Sequence, residues 1–154
     1  MYRHTQVAYV PLAGSLLLAI GTSVILMKHH SLGLFAIPAF LFLPGLLFSS
    51  LTVQVSNGVL QSHFRFNFWM KRVPLTRVTE AEVTESSAWE GWGIRMTSRG
   101  MLYNVWGTKA VEVRLQSGER FRLGTDEPGA LAAAIATQMV RGTADYNART
   151  KASQ

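Results

Sequence analysis

The chain has 154 residues, with 15 lysines and arginines, 9 acidic residues and no cysteine. The lack of cysteine excludes disulfide bonds, thiolate catalysis and cysteine-ligated zinc. All nine acidic residues and thirteen of the fifteen basic ones lie after Leu51, so an almost uncharged first third precedes a basic remainder of roughly a hundred residues, enough for one small domain.

Two apolar stretches open the chain, at residues 5–27 and 32–51, and a charged break at residues 28–30 separates them. As helices they would extend about 35 Å and about 30 Å, which matches a hydrocarbon layer of roughly 30 Å. Cleavage as a signal peptide is disfavoured, because no small-residue cleavage pattern precedes the break and a second span follows. The sequence therefore predicts a transmembrane helical hairpin at residues 1–51.

Small residues on the first span predict how the two helices meet. Ser15, Ala19 and Ser23 recur at four-residue spacing, so they share one helix face that a neighbouring backbone can approach closely. We expect the second span to be that neighbour. Pro38 and Pro44 each remove a backbone donor from the second span and predict a bend in it.

The positive charges that flank the spans predict the orientation of the hairpin. Arg3, Arg65 and Lys71 lie near the outer ends of the two spans, whereas Lys28 lies in the break between them. Positive residues favour the cytoplasmic side. The chain is therefore expected to be a multi-pass protein of the inner (cytoplasmic) membrane, with its soluble domain facing the cytoplasm.

After Leu51 the apolar residues alternate with polar ones, which is typical of strands. Asn57 and Gly58 predict a two-residue hairpin turn with positive φ at both residues, so that Val55 pairs with Leu60. Short strands in quick succession indicate an antiparallel sheet or barrel. The further predicted strands are at residues 78–83, 93–97, 101–105, 110–115 and 120–123.

The last predicted hairpin carries two arginines. A two-residue turn at residues 117–118 would pair Leu115 with Arg120 and bury a charge, so we predict a three-residue turn at residues 117–119. Leu115 then pairs with Phe121 and both point into the core. That register places Arg114 directly opposite Arg122 on the outer face of the sheet. We interpret this face as solvated, with lipid phosphate or an acidic partner as the alternative.

One helix closes the predicted domain. Thr125 or Asp126 can cap its start, and a stripe at residues 131, 135 and 139 predicts the buried side. Its predicted end is at residues 141–142. The domain is accordingly placed at residues 52–142, and the polar residues 143–154 are expected to be a disordered tail.

Basic residues and tryptophans of the domain form the candidate surface for lipid or a protein partner, because tryptophan beside basic residues is common at headgroup level. A core position for two or three of the indole rings is the alternative. The basic residues alternate with acidic ones and no nucleic-acid motif accompanies them, which disfavours nucleic acid as a partner. The candidate surface residues are Lys71, Arg72, Arg77, Trp89, Trp92, Trp106, Arg114, Arg120 and Arg122.

The sequence contains no persuasive catalytic or cofactor-binding arrangement. Glu80 and Glu82 fit a solvated strand better than a pair of catalytic carboxylates, and His63 is expected at the surface. We therefore predict a protein that is not an enzyme and needs no metal or other cofactor.

Glycines and strand ends at residues 91–95, 100, 103–105, 107 and 121–126 resemble those of bacterial pleckstrin-homology-like (PH-like) membrane proteins that carry an N-terminal two-helix transmembrane hairpin. The resemblance implies a membrane-anchored α+β fold: a PH-like antiparallel β-barrel of about seven strands with a C-terminal capping helix, often assembled into oligomers and with no established catalytic centre. Trp106 departs from it, since a small polar residue is more usual there. The loop at residues 56–58 lacks the basic residues that hold inositol phosphates in eukaryotic relatives of the fold.

Together these observations predict a membrane-anchored, non-enzymatic interaction module that associates with itself or binds a membrane protein partner. The alternative is a domain that binds anionic lipid headgroups. A pore lined by several hairpins is a third, less favoured reading, because no charge lies within either span.

Overall fold

The computed structural model describes residues 1–27, 36–68, 70–87 and 90–152, with the backbone alone for 141–152. Within this part the fold is α+β, as predicted, with an apolar helix near the N-terminus and a helix at the C-terminal end. The helices and strands are β1 (Tyr2–Val7), α1 (Tyr9–Leu26), α2 (Ala36–Leu47), β2 (Ser50–Ser56), β3 (Val59–Phe64), β4 (Met70–Pro74), β5 (Val78–Glu85), β6 (Gly93–Thr97), β7 (Gly100–Asn104), β8 (Lys109–Leu115), β9 (Arg120–Gly124) and α3 (Pro128–Ala152).

The strands form two sheets. The first has four strands in the order β1-β2-β3-β4, and the second has five in the order β5-β8-β9-β7-β6. All paired strands are antiparallel except β7 and β9, which are parallel. The described strands do not close into a barrel, so the expected antiparallel barrel of about seven strands is wrong in strand number, in closure and in the direction of one pair.

Strand β1 was not predicted, since its residues were assigned to the N-terminal flank and the start of the first span. Its six residues pair with β2 from Tyr2 opposite Val55 to Val7 opposite Ser50. The apolar helix α1 begins only at Tyr9. The partner strand lies more than forty residues further along the chain, so no local pattern could reveal the pairing.

Helices α1 and α2 follow β1 and precede β2 in the sequence, and they pack against each other. A side chain at Gly45 of α2 would overlap the Ser15 side chain of α1, which shows how closely the helices approach. The predicted contact through the small residues of the first span is therefore present at Ser15. Pro44 lies inside α2, and no residue of α1 is buried. The predicted break at residues 28–30 lies outside the described residues.

The β2–β3 hairpin confirms the sequence prediction. Val55 pairs with Leu60 and Leu51 with Phe64. Asn57 and Gly58 have φ values of 50° and 71°, as a two-residue turn of this type requires.

In the β8–β9 hairpin each side chain lies on its predicted face of the sheet, but the register of the two strands differs from the prediction. Val113 pairs with Phe121 inside the core, and Arg114 lies opposite Arg120 instead of Arg122. The three-residue turn occupies residues 116–118, because the Leu115 N–H already donates to the carbonyl of Glu119 at 2.9 Å. A shift of two residues keeps every side chain on its predicted face, so the hydrophobic pattern could not distinguish the two registers.

Helix α3 covers a core built from both sheets. Leu131 and Ile135 are fully buried and Met139 packs against the same core, which confirms the predicted stripe. The Glu127 N–H donates to Thr125 Oγ1 at 3.1 Å before the first turn. The helix does not end at residues 141–142 but continues to Ala152, since a single internal glycine weakens a helix by only about 1 kcal/mol.

Candidate functional site

Both apolar helices leave the same end of the four-stranded sheet. Val7, the last residue of β1, pairs with Ser50, the first residue of β2, and the backbone of Ala8 donates to the carbonyl of Ser49 at 2.7 Å. The end of β3 lies beside them, because Leu51 pairs with Phe64. We call this end of the molecule the helix-proximal end.

The connection between β3 and β4 presents an exposed aromatic ring at the helix-proximal end. Phe66 is 71% exposed and has a φ of 59°, a left-handed conformation that costs a residue with a side chain about 1–2 kcal/mol. The loop holds it there through two backbone hydrogen bonds of 3.0 Å, from Phe64 to Phe68 and from Phe68 to Arg65. The strain is therefore maintained by the rest of the loop and not relieved by burial of the ring.

Contacts with the residues that directly follow α2 fix the position of this loop. The Arg65 guanidinium donates to Ser49 Oγ at 3.1 Å and lies 5.4 Å from the centre of the Phe66 ring. Phe68 packs edge-on against Phe48, which directly follows α2. A cation and two partly exposed aromatic rings thus lie immediately beside the end of an apolar helix.

A pair of tryptophans from the five-stranded sheet lies near the same end. The rings of Trp92 and Trp106 are 5.0 Å apart between centroids and remain 46% and 37% exposed. The carbonyl of Trp106 accepts a hydrogen bond from Gln6 of β1, and its N–H donates to Asn104 Oδ1. Both tryptophans are therefore partly exposed, and neither belongs to the core.

An open cavity of about 530 Å³ lies where the helices meet the five-stranded sheet. Pro11 of α1 together with Pro44 and Phe48 of the α2 end form its helix side. The sheet side is formed by Trp92, Gly93, Ile94, Arg95 and Val105.

Arg95 is the charged residue of this cavity. Its Nε donates to the carbonyl of Trp92 at 3.1 Å, which holds the side chain across the start of β6. Among the described residues no carboxylate lies within ion-pair distance of Arg95, whereas Arg99, Arg114 and Arg122 all have such partners. The exposed Arg95 guanidinium is thus a positive charge without a neutralising neighbour.

Arg122 is fully buried, which corrects its prediction as a surface residue. Its guanidinium donates to both carboxylate oxygens of Glu90 at 2.9 and 2.7 Å, to Ser86 Oγ at 3.1 Å and to Thr97 Oγ1 at 2.8 Å. The hydrogen bonds from Arg122 are the main cause that lowers the pKa of Glu90, although partial burial opposes them.

The outer face of the five-stranded sheet is covered where Arg122 lies. Leu102 pairs with Arg122 in the parallel ladder and Glu112 pairs with it on the other side, and both are buried. The chain after β5 brings Ser86 and Glu90 over this face. Arg122 therefore lies on the outer face of β9, as predicted, but this position is not exposed to solvent.

The other basic candidates do not converge on one site. Arg114 is paired with Glu80, Glu82 and Glu112, and the hydrogen bond to Glu112 together with the charge of Glu80 raises the pKa of Arg114. Its positive charge is already neutralised, so the face of the β8–β9 hairpin is a poor anion site.

Lys71 is also engaged. Its ammonium pairs with Glu119 at 2.8 Å and lies 4.4 Å from the centre of the Phe121 ring. Arg72, Arg77 and Arg120 are exposed on separate elements. Trp89 lies outside the described residues.

The helix-proximal residues Phe66, Phe68 and Arg95 were missed by the sequence reasoning. A usable signal exists for the first two, because residues 65–72 include three aromatic and three basic side chains directly after a strand whose register with β2 was predicted correctly. Arg95 gives no such signal, since its neighbours in the cavity come from distant parts of the chain.

Within the described residues, no group of three or more histidine, aspartate or glutamate side chains could hold a metal ion. No protein-family model, curated protein or solved structure matches the chain. The resemblance to PH-like membrane proteins therefore stays a prediction, and the functional argument depends on the geometry of the helix-proximal end.

Proposed function

We propose that the chain is a membrane-anchored, non-enzymatic interaction module in which the helical hairpin holds the β domain against the bilayer. The proposal depends on one observation: two apolar helices form the connection between β1 and β2, which are neighbouring strands of one sheet. Because β1 and β2 are antiparallel neighbours, both ends of the hairpin are on the side of the β domain.

The exposure of α1 supports the anchor. Its 18 residues extend about 27 Å, close to the roughly 30 Å of a hydrocarbon layer, and a core helix of that length would be buried. Leu17, Val24 and Ile25 are each more than half exposed. A bilayer would cover this apolar surface, which water would not solvate favourably.

A cleaved signal sequence is the competing explanation of an apolar helix near the N-terminus. Cleavage after α1 would remove β1, whose six residues pair with β2 along their whole length. It would also remove His4, which lies 2.6 Å from Asp126 before α3. Retention of the segment is therefore favoured by the contacts that it makes with the domain.

A binding role is favoured over catalysis by the engagement of the carboxylates. Glu90 is bonded to Arg122, the carboxylates facing Arg114 share one cation, and Asp126 faces His4. A general acid or base needs a carboxyl group that faces a substrate cleft. The partner in this proposal is a membrane protein or a second copy of the chain, whose weak contacts would benefit from confinement to the same surface.

The test is extraction of membranes that contain the full-length chain. We expect the protein to stay with the lipid at high pH and high salt and to be released only by detergent. Crosslinking before release, followed by mass measurement, should recover a homo-oligomer or a complex with a second protein. Release without detergent would overturn the anchor, and a monomer without any crosslinked partner would overturn the interaction role.

A second candidate function, contact with anionic lipid headgroups, is favoured by the β3–β4 loop. A strained, exposed phenylalanine beside Arg65 and next to the end of α2 is placed as an interfacial aromatic residue would be. A bilayer around α2 would bring this loop to its headgroup region.

Because the chain has no cysteine, one cysteine introduced at this loop can be labelled without background. We expect a polarity-sensitive fluorophore on Phe66→Cys, in the full-length protein in nanodiscs, to shift to the blue and to be quenched by brominated lipid. Thr76→Cys is the matched control, because Thr76 is exposed and follows Leu75, whose N–H bonds to Gly58 at the other end of the four-stranded sheet. Equal spectra and equal quenching at both positions would contradict lipid contact at the loop.

A further inference from the structure

We propose that the cavity between the helical hairpin and the five-stranded sheet binds one phospholipid with an anionic headgroup, its acyl chain lying in the cavity and its phosphate on Arg95. The inference rests on the proposed membrane anchor. It goes beyond that anchor by assigning a specific lipid site and a residue that selects the headgroup.

The volume and the walls of the cavity fit an acyl chain. Its volume of about 530 Å³ lies within the range of roughly 300–1,000 Å³ that is common for small-molecule sites. The hairpin contributes the rings of Pro11, Pro44 and Phe48, and the sheet contributes Ile94 and Val105. None of these five side chains can form a hydrogen bond, so this part of the cavity would not replace the hydration of a small polar ligand.

Arg95 gives the cavity its charge selectivity. Its Nε is occupied by the Trp92 carbonyl, and no described hydrogen bond or ion pair uses its terminal nitrogens. A planar guanidinium binds a phosphate through two parallel hydrogen bonds. In a zwitterionic headgroup the choline ammonium would lie near the guanidinium and repel it, so a headgroup with a net negative charge is favoured. An anion beside Arg95 would thus neutralise a charge that no described carboxylate neutralises.

The position of the cavity identifies a bilayer lipid as the source of this phosphate. Pro11 lies in the first turn of α1 and Phe48 directly follows α2, so the cavity is at the depth where both helices leave the sheet. With the hairpin in a bilayer, this depth coincides with the headgroups. Basic pockets at that level on the cytoplasmic side are typical sites for anionic lipid headgroups. The exposed Trp92–Trp106 pair beside the cavity suits the same interface.

The experiment measures the lipid retained by full-length protein from nanodiscs of equal parts phosphatidylglycerol and phosphatidylcholine. After mild detergent release, native mass spectrometry counts and identifies the bound lipids. We expect one phosphatidylglycerol per chain for the unmodified protein. Because a charged hydrogen-bond pair is lost, the retention constant should fall about tenfold in Arg95→Gln.

Arg3→Gln is the matched control, because Arg3 is exposed on β1 and pairs with Gln54, toward the end of the four-stranded sheet that carries the Asn57–Gly58 turn. It removes the same charge, so its retention should remain unchanged. Glycerol phosphate without acyl chains is added in a separate arm, where it should not displace the lipid.

An equal loss of phosphatidylglycerol retention in the two variants would overturn the site, because the loss would then be explained by the change in net charge alone. Equal retention of both lipids by the unmodified protein would overturn the selection of an anionic headgroup. Displacement of the lipid by glycerol phosphate would overturn the binding of the acyl chain in the cavity. These outcomes are distinct from failure of the anchor, in which the protein would not enter the nanodisc at all. Circular dichroism confirms that Arg95→Gln is folded before its retention is compared.

Discussion

Arg122 and Glu90 form a buried, two-point ion pair, and its partners depend on each other for stability. Removing one member leaves the other charge buried and uncompensated, which costs about 3–5 kcal/mol. We expect Arg122→Met and Glu90→Gln each to lower the free energy of unfolding by about 3 kcal/mol, and the double variant to lose less than the sum. Urea unfolding of the full chain in detergent measures the free energy of unfolding of the unmodified protein, the two single variants and the double variant, which together form a double-mutant cycle. Additive losses would show that the pair is not coupled.

The same pair gives the protein an acid-sensitive stability. The hydrogen bonds from Arg122 lower the pKa of Glu90 below its ordinary value of 4.5. A depressed carboxyl pKa contributes stability that is complete above the ordinary value and is lost as the pH falls through the lowered one. Below pH 4.5 the unmodified protein should therefore lose stability more steeply than Glu90→Gln, and parallel pH curves would contradict this.

The sequence predicted which face of β9 Arg122 occupies but not its environment. Alternation within a strand assigns a side chain to one of two faces, and Arg122 lies on the predicted one. Its burial depends on Ser86 and Glu90, which belong to the chain after β5. No periodicity links residues 86–90 to residue 122, so the covering of this face could not be read from the local pattern.

At the scale of elements, the close contact of α1 with α2 depends on Gly45. A leucine there would overlap Ser15, whereas a Cβ added at Gly14 on α1 would meet no atom within 4 Å. We expect Gly45→Leu to destabilise the helical pair by about 1–3 kcal/mol, as overpacking does, and Gly14→Leu to be neutral or slightly stabilising. Thermal unfolding in detergent, followed by helical circular dichroism, compares the two variants. Equal behaviour would contradict a tight helix contact at Ser15.

The β2–β3 hairpin was predicted together with its register, whereas strands β1 and β4 were not predicted at all. Asn57 and Gly58 specify the β2–β3 turn by themselves, which is why its register was correct. Strand β4 carries two basic residues and ends at Pro74, so it lacks an apolar alternation and suits only a sheet edge. Strand β1 likewise gains its conformation from pairing with β2. Both were missed for lack of a local signal.

For the whole molecule, the predicted orientation can be measured with single cysteines. The exposed Ser98 lies in the turn between β6 and β7, and Ser31 lies in the sequence between the two apolar stretches. With the β domain in the cytoplasm, we expect an impermeant maleimide to label Ser31→Cys in intact cells and Ser98→Cys only after permeabilisation. The reverse pattern would contradict the positive-inside assignment.

The division into an apolar pair of helices and a β-rich domain was visible in the sequence because charge and periodicity both change near Leu51. The arrangement of two open sheets was not, since it depends on β1 and on the parallel pairing of β7 with β9. The cavity beside Arg95 could not be predicted for a related reason. Its walls come from α1, α2 and the β6–β7 region, and only the assembled fold brings these together.

The position of the helical hairpin in the connection between two paired strands, β1 and β2, has a consequence for biogenesis. During synthesis β1 emerges first but must wait for β2, which is made only after both helices have left the ribosome. If the hairpin spans a bilayer as proposed, the four-stranded sheet can assemble only when both ends of the hairpin lie in the same compartment. A chain with only one helix integrated would leave β1 and β2 on opposite sides of the bilayer, and the unpaired edge of β2 would then be open to pairing with another chain.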